Sequence, residues 1–244
     1  MKLNDLLREF ESKPWEKLPF TNFSHTVEIN QDYAGLAKIL QADLPFPEKL
    51  HKAVPKRQAL YLAGRYCVHQ AFLQAGFDHP VHIDQTPEGV PIWPTGWVGS
   101  ISHSDRMIAA VIAPRSECKV LGIDLEKIMN EKTCERIFKS ISRPEERGPV
   151  NSGLTLEEYY TLVFSAKESL YKALYPEVHH FFGFEAASLS LLQPNQLELR
   201  LTQDLNEIFP SGLSLKGQYL RSHHHIFSTV YQAISAPSAD GARD

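Results

Sequence analysis

Apolar residues recur every three or four positions in two long segments of the chain, and this spacing predicts two helices, each with one core-facing side. The first helix covers residues 56–75 and ends at Gly76. The second begins at Thr155, because Thr155 and Glu158 have the spacing of a capping box. We expect it to end at Pro176, since proline lacks a backbone donor and its ring obstructs a further helical turn.

Alternating apolar and polar residues predict strands in other parts of the chain. Three strands are predicted in the middle, at residues 98–103, 107–113 and 120–126, and the first two form an antiparallel hairpin. Short alternating stretches return between residues 183 and 231. The order helix, strands, helix, strands indicates a mixed α+β fold with two similar-sized halves that join near residues 113–120.

Composition restricts the partners and the location of the protein. The chain has 25 Lys and Arg against 29 Asp and Glu, so no global positive field favours nucleic acid, and an anionic ligand needs a local basic pocket. The longest apolar run, residues 107–113, is far shorter than the roughly 20 residues of a transmembrane helix. Cys67, Cys118 and Cys134 have no metal-ligand spacing, and the N-terminus lacks a secretion signal. We therefore expect a cytoplasmic protein with reduced thiols and no membrane span.

Two carboxylates on the third predicted strand form the first candidate site. Asp124 and Glu126 lie on the same strand face, about 7 Å apart, while the intervening Leu125 points to the other face. A divalent cation such as Mg²⁺ would relieve the repulsion between these acids. Gly122 on the same face leaves room for a bulky group. The alternative is an exposed strand face that carries ordinary solvated acids.

Two further pairs of polar residues are candidates for chemistry. Glu168 and Lys172 are four residues apart on the second helix and share a face, although a simple surface ion pair would have the same spacing. Ser102 and His103 are neighbours on a strand, so they point to opposite faces and cannot form a hydrolase dyad. At a strand end they suit phosphate oxygens, or they bind no ligand at all.

The three consecutive histidines at residues 223–225 are a weak metal candidate. A strand cannot direct three successive side chains to one ion, and no Cys or His pair elsewhere has the spacing to complete a zinc site. We interpret His223, His224 and His225 as solvated strand residues. The chain also has no glycine-rich phosphate loop, so side chains must form any phosphate site.

Three segments in order resemble the 4'-phosphopantetheinyl transferases, specifically the longer, surfactin-type branch that includes the enterobactin synthetase component D enzymes. The segments are Val98-Gly99-Ser100-Ile101-Ser102-His103-Ser104, Leu121-Gly122-Ile123-Asp124-Leu125-Glu126 and Phe164-Ser165-Ala166-Lys167-Glu168-Ser169-Leu170-Tyr171-Lys172-Ala173. The resemblance covers roughly residues 50–180 and also includes Ile92-Trp93-Pro94. Each motif alone is weak, but three in this order are specific.

The resemblance implies an α+β fold of two pseudo-symmetric halves, each with antiparallel strands packed on a long helix. Residues 1–116 would form the coenzyme A side, residues 117–234 the metal and carrier-protein side, and residues 235–244 a disordered tail. The implied activity is Mg²⁺-dependent transfer of 4'-phosphopantetheine from coenzyme A to a serine of an apo acyl or peptidyl carrier protein, for siderophore (for example enterobactin), polyketide or lipid synthases. The alternative is a coenzyme A binding protein of the same fold without turnover. A monomer is expected.

The resemblance also assigns roles to residues that match the family motifs. The metal ligands would be Asp124, Glu126 and Glu168, and the catalytic residues would be Asp124, Glu168 as the base, and Lys172. Coenzyme A phosphates would be held by Lys56, Arg57, Arg65, Ser102, His103 and Lys172. We also expect Glu146 to orient a water in this site. Val90 replaces a basic residue that the family commonly has, which predicts weaker coenzyme A binding unless Lys52 or Lys119 substitutes.

Overall fold

The computed structural model describes residues 2–10, 15–146, 148, 152–193, 195–222 and 224–234. The predicted tail, residues 235–244, lies outside this part of the chain, as does His223. Within the described residues, no helix combines the length and the apolar composition that a membrane crossing requires. Cys67, Cys118 and Cys134 are buried free thiols.

The first part of the chain forms a four-stranded sheet covered by a long helix. Its elements are α1 (Leu3–Leu6), β1 (Leu7–Glu9), β2 (Phe23–Ile29), α2 (Tyr33–Leu40), a 3-10 turn (Glu48–Leu50), α3 (Pro55–Gln74), β3 (Asp84–Gln85), β4 (Pro91–Ile92), β5 (Trp97–Ser104) and β6 (Met107–Pro114). The sheet has the order β1-β2-β6-β5 and all its pairs are antiparallel. Strands β3 and β4 form a separate two-stranded ribbon.

Helix α3 and the β5–β6 hairpin confirm two predictions from the hydrophobic pattern. Pro55 occupies the start of α3, where its missing N–H costs nothing. The apolar stripe of α3 is buried against the sheet, with Cys67 and Phe72 fully covered. The turn between β5 and β6 places Asp105 at a φ of 54°, a left-handed conformation that Asp tolerates better than most residues.

The second part of the chain repeats this arrangement with a larger sheet. Its elements are β7 (Cys118–Lys127), α4 (Glu131–Ile141), α5 (Leu156–Val178), a 3-10 turn (Phe184–Ala186), β8 (Ala187–Gln193), β9 (Gln196–Leu201), β10 (Ser214–Ser222) and β11 (His225–Ala233). The sheet order is β7-β11-β10-β9-β8, again antiparallel throughout. The prediction of an α+β fold with antiparallel strands packed on a long helix in each half is therefore confirmed.

The end of α5 differs from the prediction. Thr155 and Glu158 form the predicted capping box, with the Glu158 N–H donating to Thr155 Oγ1 over 3.3 Å. The expectation that Pro176 ends the helix is wrong, because α5 continues to Val178. A proline this close to the end removes only its own donor, and the last turn is still closed by the His179 N–H, which donates to the Tyr175 carbonyl over 2.9 Å.

The two sheets meet along β5, β6 and β7. One face of β7 packs on residues of both halves, since Leu121, Ile123 and Leu125 share a buried cluster with Val111 of β6 and Phe227 of β11. The other face of β7 carries Gly122, Asp124 and Glu126 and lies against α5. The space beside Gly122 is filled by the backbone of α5 and is not free for a ligand.

Candidate active site

A cleft with a volume of about 480 Å³ opens between the two halves, beside the start of α3 and the end of α5. Its walls come from α3, from the β3–β4 ribbon, from β5 and from α5. The side chains that line it include those of Arg57, Tyr61, Arg65, Val90, Trp93, His103, Tyr171 and Lys172. Elements that are distant in sequence therefore supply one continuous surface.

Three of the predicted phosphate-binding residues place positive charge on the walls of this cleft. Arg57, Arg65 and Lys172 all line it. The Arg65 guanidinium lies 4.3 Å from the centre of the Tyr61 ring, and burial lowers the pKa of Arg65 without discharging a group that titrates so far above neutrality. The Arg65 Nε is buried without a hydrogen-bond partner. An anionic ligand in the cleft would therefore meet cations from both halves.

Two of the predicted basic contacts lie elsewhere. Lys56 is half-exposed, and its Nζ lies 3.8 Å from Asp105 Oδ1 at the β5–β6 turn. Lys119 lies over the Phe209 ring, 5.7 Å from its centre. Val90 does line the cleft, so the position that lacks a basic residue faces the same space as Arg57.

Lys172 and Asp124 connect the helix α5 to the strand β7 at the edge of the cleft. The Lys172 Nζ donates to Asp124 Oδ1 over 2.6 Å and to Ser102 Oγ over 2.9 Å. The Ser102 hydroxyl donates to Asp124 Oδ1 over 2.8 Å. Asp124 is buried, with 3% of its surface exposed, and its Oδ2 has no hydrogen-bond partner. A buried carboxylate oxygen without a partner is costly, and it marks a position where a cation would be stabilised.

Glu126 and Glu168 lie close enough to Asp124 to share its electrostatic field. Burial, followed by the charge on Asp124, raises the pKa of Glu126 to about 7. The same two causes raise the pKa of Glu168, and Lys172 opposes them. The three acids predicted from the sequence therefore repel one another across the space between β7 and α5. Lys172, whose Nζ contacts Asp124, is partly exposed.

The donor chemistry of these acids fits Mg²⁺, which prefers carboxylate oxygens. The orphaned Asp124 Oδ2 and the mutual repulsion of the acids are the two structural observations in favour. Among the described residues, however, no three His, Cys, Asp or Glu side chains converge in a metal-ligating arrangement. The assignment of Asp124, Glu126 and Glu168 as metal ligands stays a prediction.

Ser102 and His103 point to opposite sides of β5, as the strand pattern predicts. Ser102 is buried and already contacts Asp124, Lys172 and the Leu125 N–H. His103 lines the cleft. Desolvation, followed by the charges of Lys172 and Arg57, lowers the pKa of His103, so the free protein favours the neutral imidazole.

Glu146 lies in the interior and not in the cleft, so the expectation that it orients a water in the active site is wrong. Its side chain is fully buried and accepts from Lys167 Nζ over 2.7 Å and from the Arg143 N–H over 2.6 Å. The Leu189 N–H donates to the other carboxylate oxygen. The Glu146–Lys167 pair thus ties the segment after α4 to α5 and β8.

Sequence reasoning missed two groups of residues at the site. Ser100 and Ser104 hydrogen-bond to β7 on either side of Ser102, and their signal was a serine at every second position of β5. Tyr171 lines the cleft and also an apolar pocket next to Glu168. No sequence pattern distinguishes Tyr171 from an ordinary helix residue that covers the core.

Comparison with known proteins matches both halves of the chain. The model of the 4'-phosphopantetheinyl transferase N-terminal domain matches residues 46–113, and the model of the 4'-phosphopantetheinyl transferase superfamily matches residues 120–228. The two matched regions contain every site residue predicted from the sequence except Lys119.

Individual relatives agree with the family models. The chain is 34% identical to the 4'-phosphopantetheinyl transferase Npt of Nocardia iowensis over 170 residues, which are 68% of this chain and 72% of the relative. It is 36% identical to enterobactin synthase component D of Salmonella typhi over 159 residues, 65% of each chain. It is 30% identical to the 4'-phosphopantetheinyl transferase PptT of Mycobacterium tuberculosis, over 71% of this chain and 74% of that protein. These matches confirm the resemblance noted from the sequence, and the chain belongs to the 4'-phosphopantetheinyl transferase superfamily.

Proposed function

We propose that this protein transfers the 4'-phosphopantetheine group of coenzyme A to a serine of an apo carrier protein and that it requires Mg²⁺. The observation that carries the proposal is the position of Lys172, which lines the cationic cleft and also contacts the buried acid Asp124. A diphosphate in the cleft would meet Lys172 on one side and a metal held by the acids on the other. Membership of the transferase superfamily supports the same assignment.

The reaction forms a bond between the carrier serine Oγ and the β-phosphorus of coenzyme A and breaks the diphosphate bond to release 3',5'-ADP. Mg²⁺, held by Asp124, Glu126 and Glu168, would supply neutralisation of the charge that grows on the diphosphate. Lys172 would stabilise the leaving group. The carboxylate of Glu168, directly or through a water, would take the serine proton.

The halves would divide the substrates. We propose that residues 1–116 bind coenzyme A through Arg57, Arg65 and His103, and that residues 117–234 hold the metal and receive the carrier. Ser102 and Lys56 are the phosphate contacts with the least support, because Ser102 is buried among other partners and Lys56 pairs with Asp105. We further propose a monomeric cytoplasmic enzyme that serves siderophore, polyketide or lipid synthases.

Intact-mass analysis of an apo carrier protein tests the proposal. The carrier is incubated with the protein, coenzyme A and Mg²⁺, and we expect the mass of phosphopantetheine to be added to its serine. A panel of siderophore, polyketide and lipid carriers identifies the client, and omission of Mg²⁺ tests the metal requirement. If no carrier gains mass while coenzyme A still binds, the protein is a coenzyme A binding protein without turnover.

A further inference from the structure

Three serines of β5 connect the two sheets where no backbone pairing joins them. Ser100, Ser102 and Ser104 occupy alternate positions of β5, and all three are buried. Their hydroxyl oxygens accept backbone N–H groups of β7 over 3.0, 3.3 and 3.1 Å, from Ile123, Leu125 and Lys127 respectively. These three residues, the serine row, take the place of a backbone ladder between β5 and β7.

Two members of the serine row also hold carboxylates. A serine hydroxyl has one proton to donate. The Ser102 hydroxyl donates a hydrogen bond to Asp124 over 2.8 Å, and the Ser104 hydroxyl donates one to Glu126 over 3.1 Å. The corresponding position opposite Ser100 is Gly122, which has no side chain to accept a hydrogen bond. The backbone link is therefore common to all three serines, but only Ser102 and Ser104 orient an acid.

We propose that Ser104 is a positioning residue that fixes the Glu126 carboxylate for metal binding, as Ser102 fixes that of Asp124. This inference rests on the proposed function, because it takes Glu126 and Asp124 as metal ligands. Glu126 is half-buried, and both Asp124 and Glu168 repel it. Without Ser104, the long Glu126 side chain would move away from these acids and lose the orientation that a metal ligand needs.

The hydrogen bonds suggest a matched pair of variants, Ser104→Ala and Ser100→Ala. Both remove one hydroxyl that accepts a β7 backbone N–H, but only Ser104→Ala frees a carboxylate. The probe is Mn²⁺, whose dissociation constant is measured by electron paramagnetic resonance without coenzyme A, because Ser100 also lines the cleft proposed to bind coenzyme A. We expect Ser104→Ala to weaken Mn²⁺ binding about tenfold, and Ser100→Ala to change it by less than about twofold. Thermal unfolding should show similar losses of stability for both.

Two additional measurements separate positioning from general damage. Ser104→Thr retains the hydroxyl and should recover most of the Mn²⁺ affinity. In the transfer assay, Ser104→Ala should raise the Mg²⁺ concentration for half-maximal rate, with most of kcat restored at saturating Mg²⁺. If Ser104→Ala does not fold, Ser104→Cys replaces it, because a thiol is a much weaker donor of similar shape.

The outcomes distinguish this inference from the proposed function. Equal Mn²⁺ affinity in Ser104→Ala and Ser100→Ala overturns the positioning role even if the wild-type protein is an active transferase. If the wild-type protein binds Mn²⁺ but modifies no carrier, the proposed function is wrong. The comparison of variants then still decides the role of Ser104. A wild-type protein that binds no Mn²⁺ overturns the role of Ser104 directly.

Discussion

The backbone of Gly122 on β7 lies directly against the Ser169 carbonyl of α5. A Cβ at position 122 would overlap that oxygen and would also lie 2.6 Å from the Ala173 N. Both obstacles are backbone atoms, so they cannot rotate aside as a side chain would. The close approach brings Lys172 of α5 within reach of Asp124 on β7.

This contact predicts that Gly122→Ala destabilises the protein by about 2–3 kcal/mol, because it forces α5 away from the sheet. Urea unfolding measures the loss. Gly64→Ala is the control, since its Cβ would meet only the Ile101 side chain at 3.2 Å and alanine is favoured inside a helix. Equal stability of the two variants would contradict the proposed backbone contact.

The position of Lys172 predicts a large catalytic effect. Lys172→Ala should lower kcat about a hundredfold or more, because it removes the cation that the proposed function places next to the diphosphate. Carrier modification followed by mass spectrometry measures the rate. Lys119→Ala is the control. Lys119 is on the same strand as Asp124, but its side chain lies over the Phe209 ring, so this substitution should leave the rate unchanged. A small effect of Lys172→Ala would exclude the assigned role.

The buried pair of Lys167 and Glu146 predicts strong coupling between two residues that lie outside the cleft. Burial lowers the pKa of Lys167, and the charge of Glu146 opposes this shift. Lys167→Met leaves a buried carboxylate without its cation and should cost about 3–5 kcal/mol. The double variant Lys167→Met with Glu146→Gln should recover part of that loss. Additive losses in chemical denaturation would show that the two groups do not interact.

His25 predicts part of the acid sensitivity of the fold. Burial lowers the pKa of His25 below its ordinary value of 6.5, and Glu9, 4.0 Å away, opposes part of this shift. The unfolded chain therefore binds a proton before the folded chain does, so stability is lost as the pH falls below about 6.5 and is unaffected above it. His25→Phe, which preserves an aromatic contact with Tyr66, should flatten this dependence. Denaturant unfolding at pH 7.5, 6.0 and 5.0 measures the difference, and parallel curves would contradict it.

Val90 predicts a gain of function at the edge of the cleft. Val90→Arg adds a cation to the space that Arg57 and Arg65 line, so it should lower the KM for coenzyme A by about twofold to fivefold. Val90→Gln is the uncharged control of similar length. The difference between the two variants should shrink at high salt, because ions screen an exposed charge. Identical KM values at low salt would show that no phosphate lies near residue 90.

Local patterns were sufficient for the elements with strong periodicity. The apolar stripe of α3, the β5–β6 hairpin and the alternation of β7 can all be predicted from the sequence, because each depends on the spacing of neighbouring residues. Strand β2 and helix α4 were missed. Strand β2 is central to its sheet, but its mixed polar sequence has a weak alternation that only the neighbouring strands select.

The sequence by itself determined which acids and bases are available and on which face of its own element each one lies. Only the tertiary structure decided which faces meet. It buried Glu146 against Lys167, turned Lys56 toward Asp105, and joined Ser104 to Glu126 across two sheets. The physical reason is that periodicity fixes directions within one element, whereas contacts between elements depend on close approaches, such as that of Gly122 to α5, which no local pattern encodes.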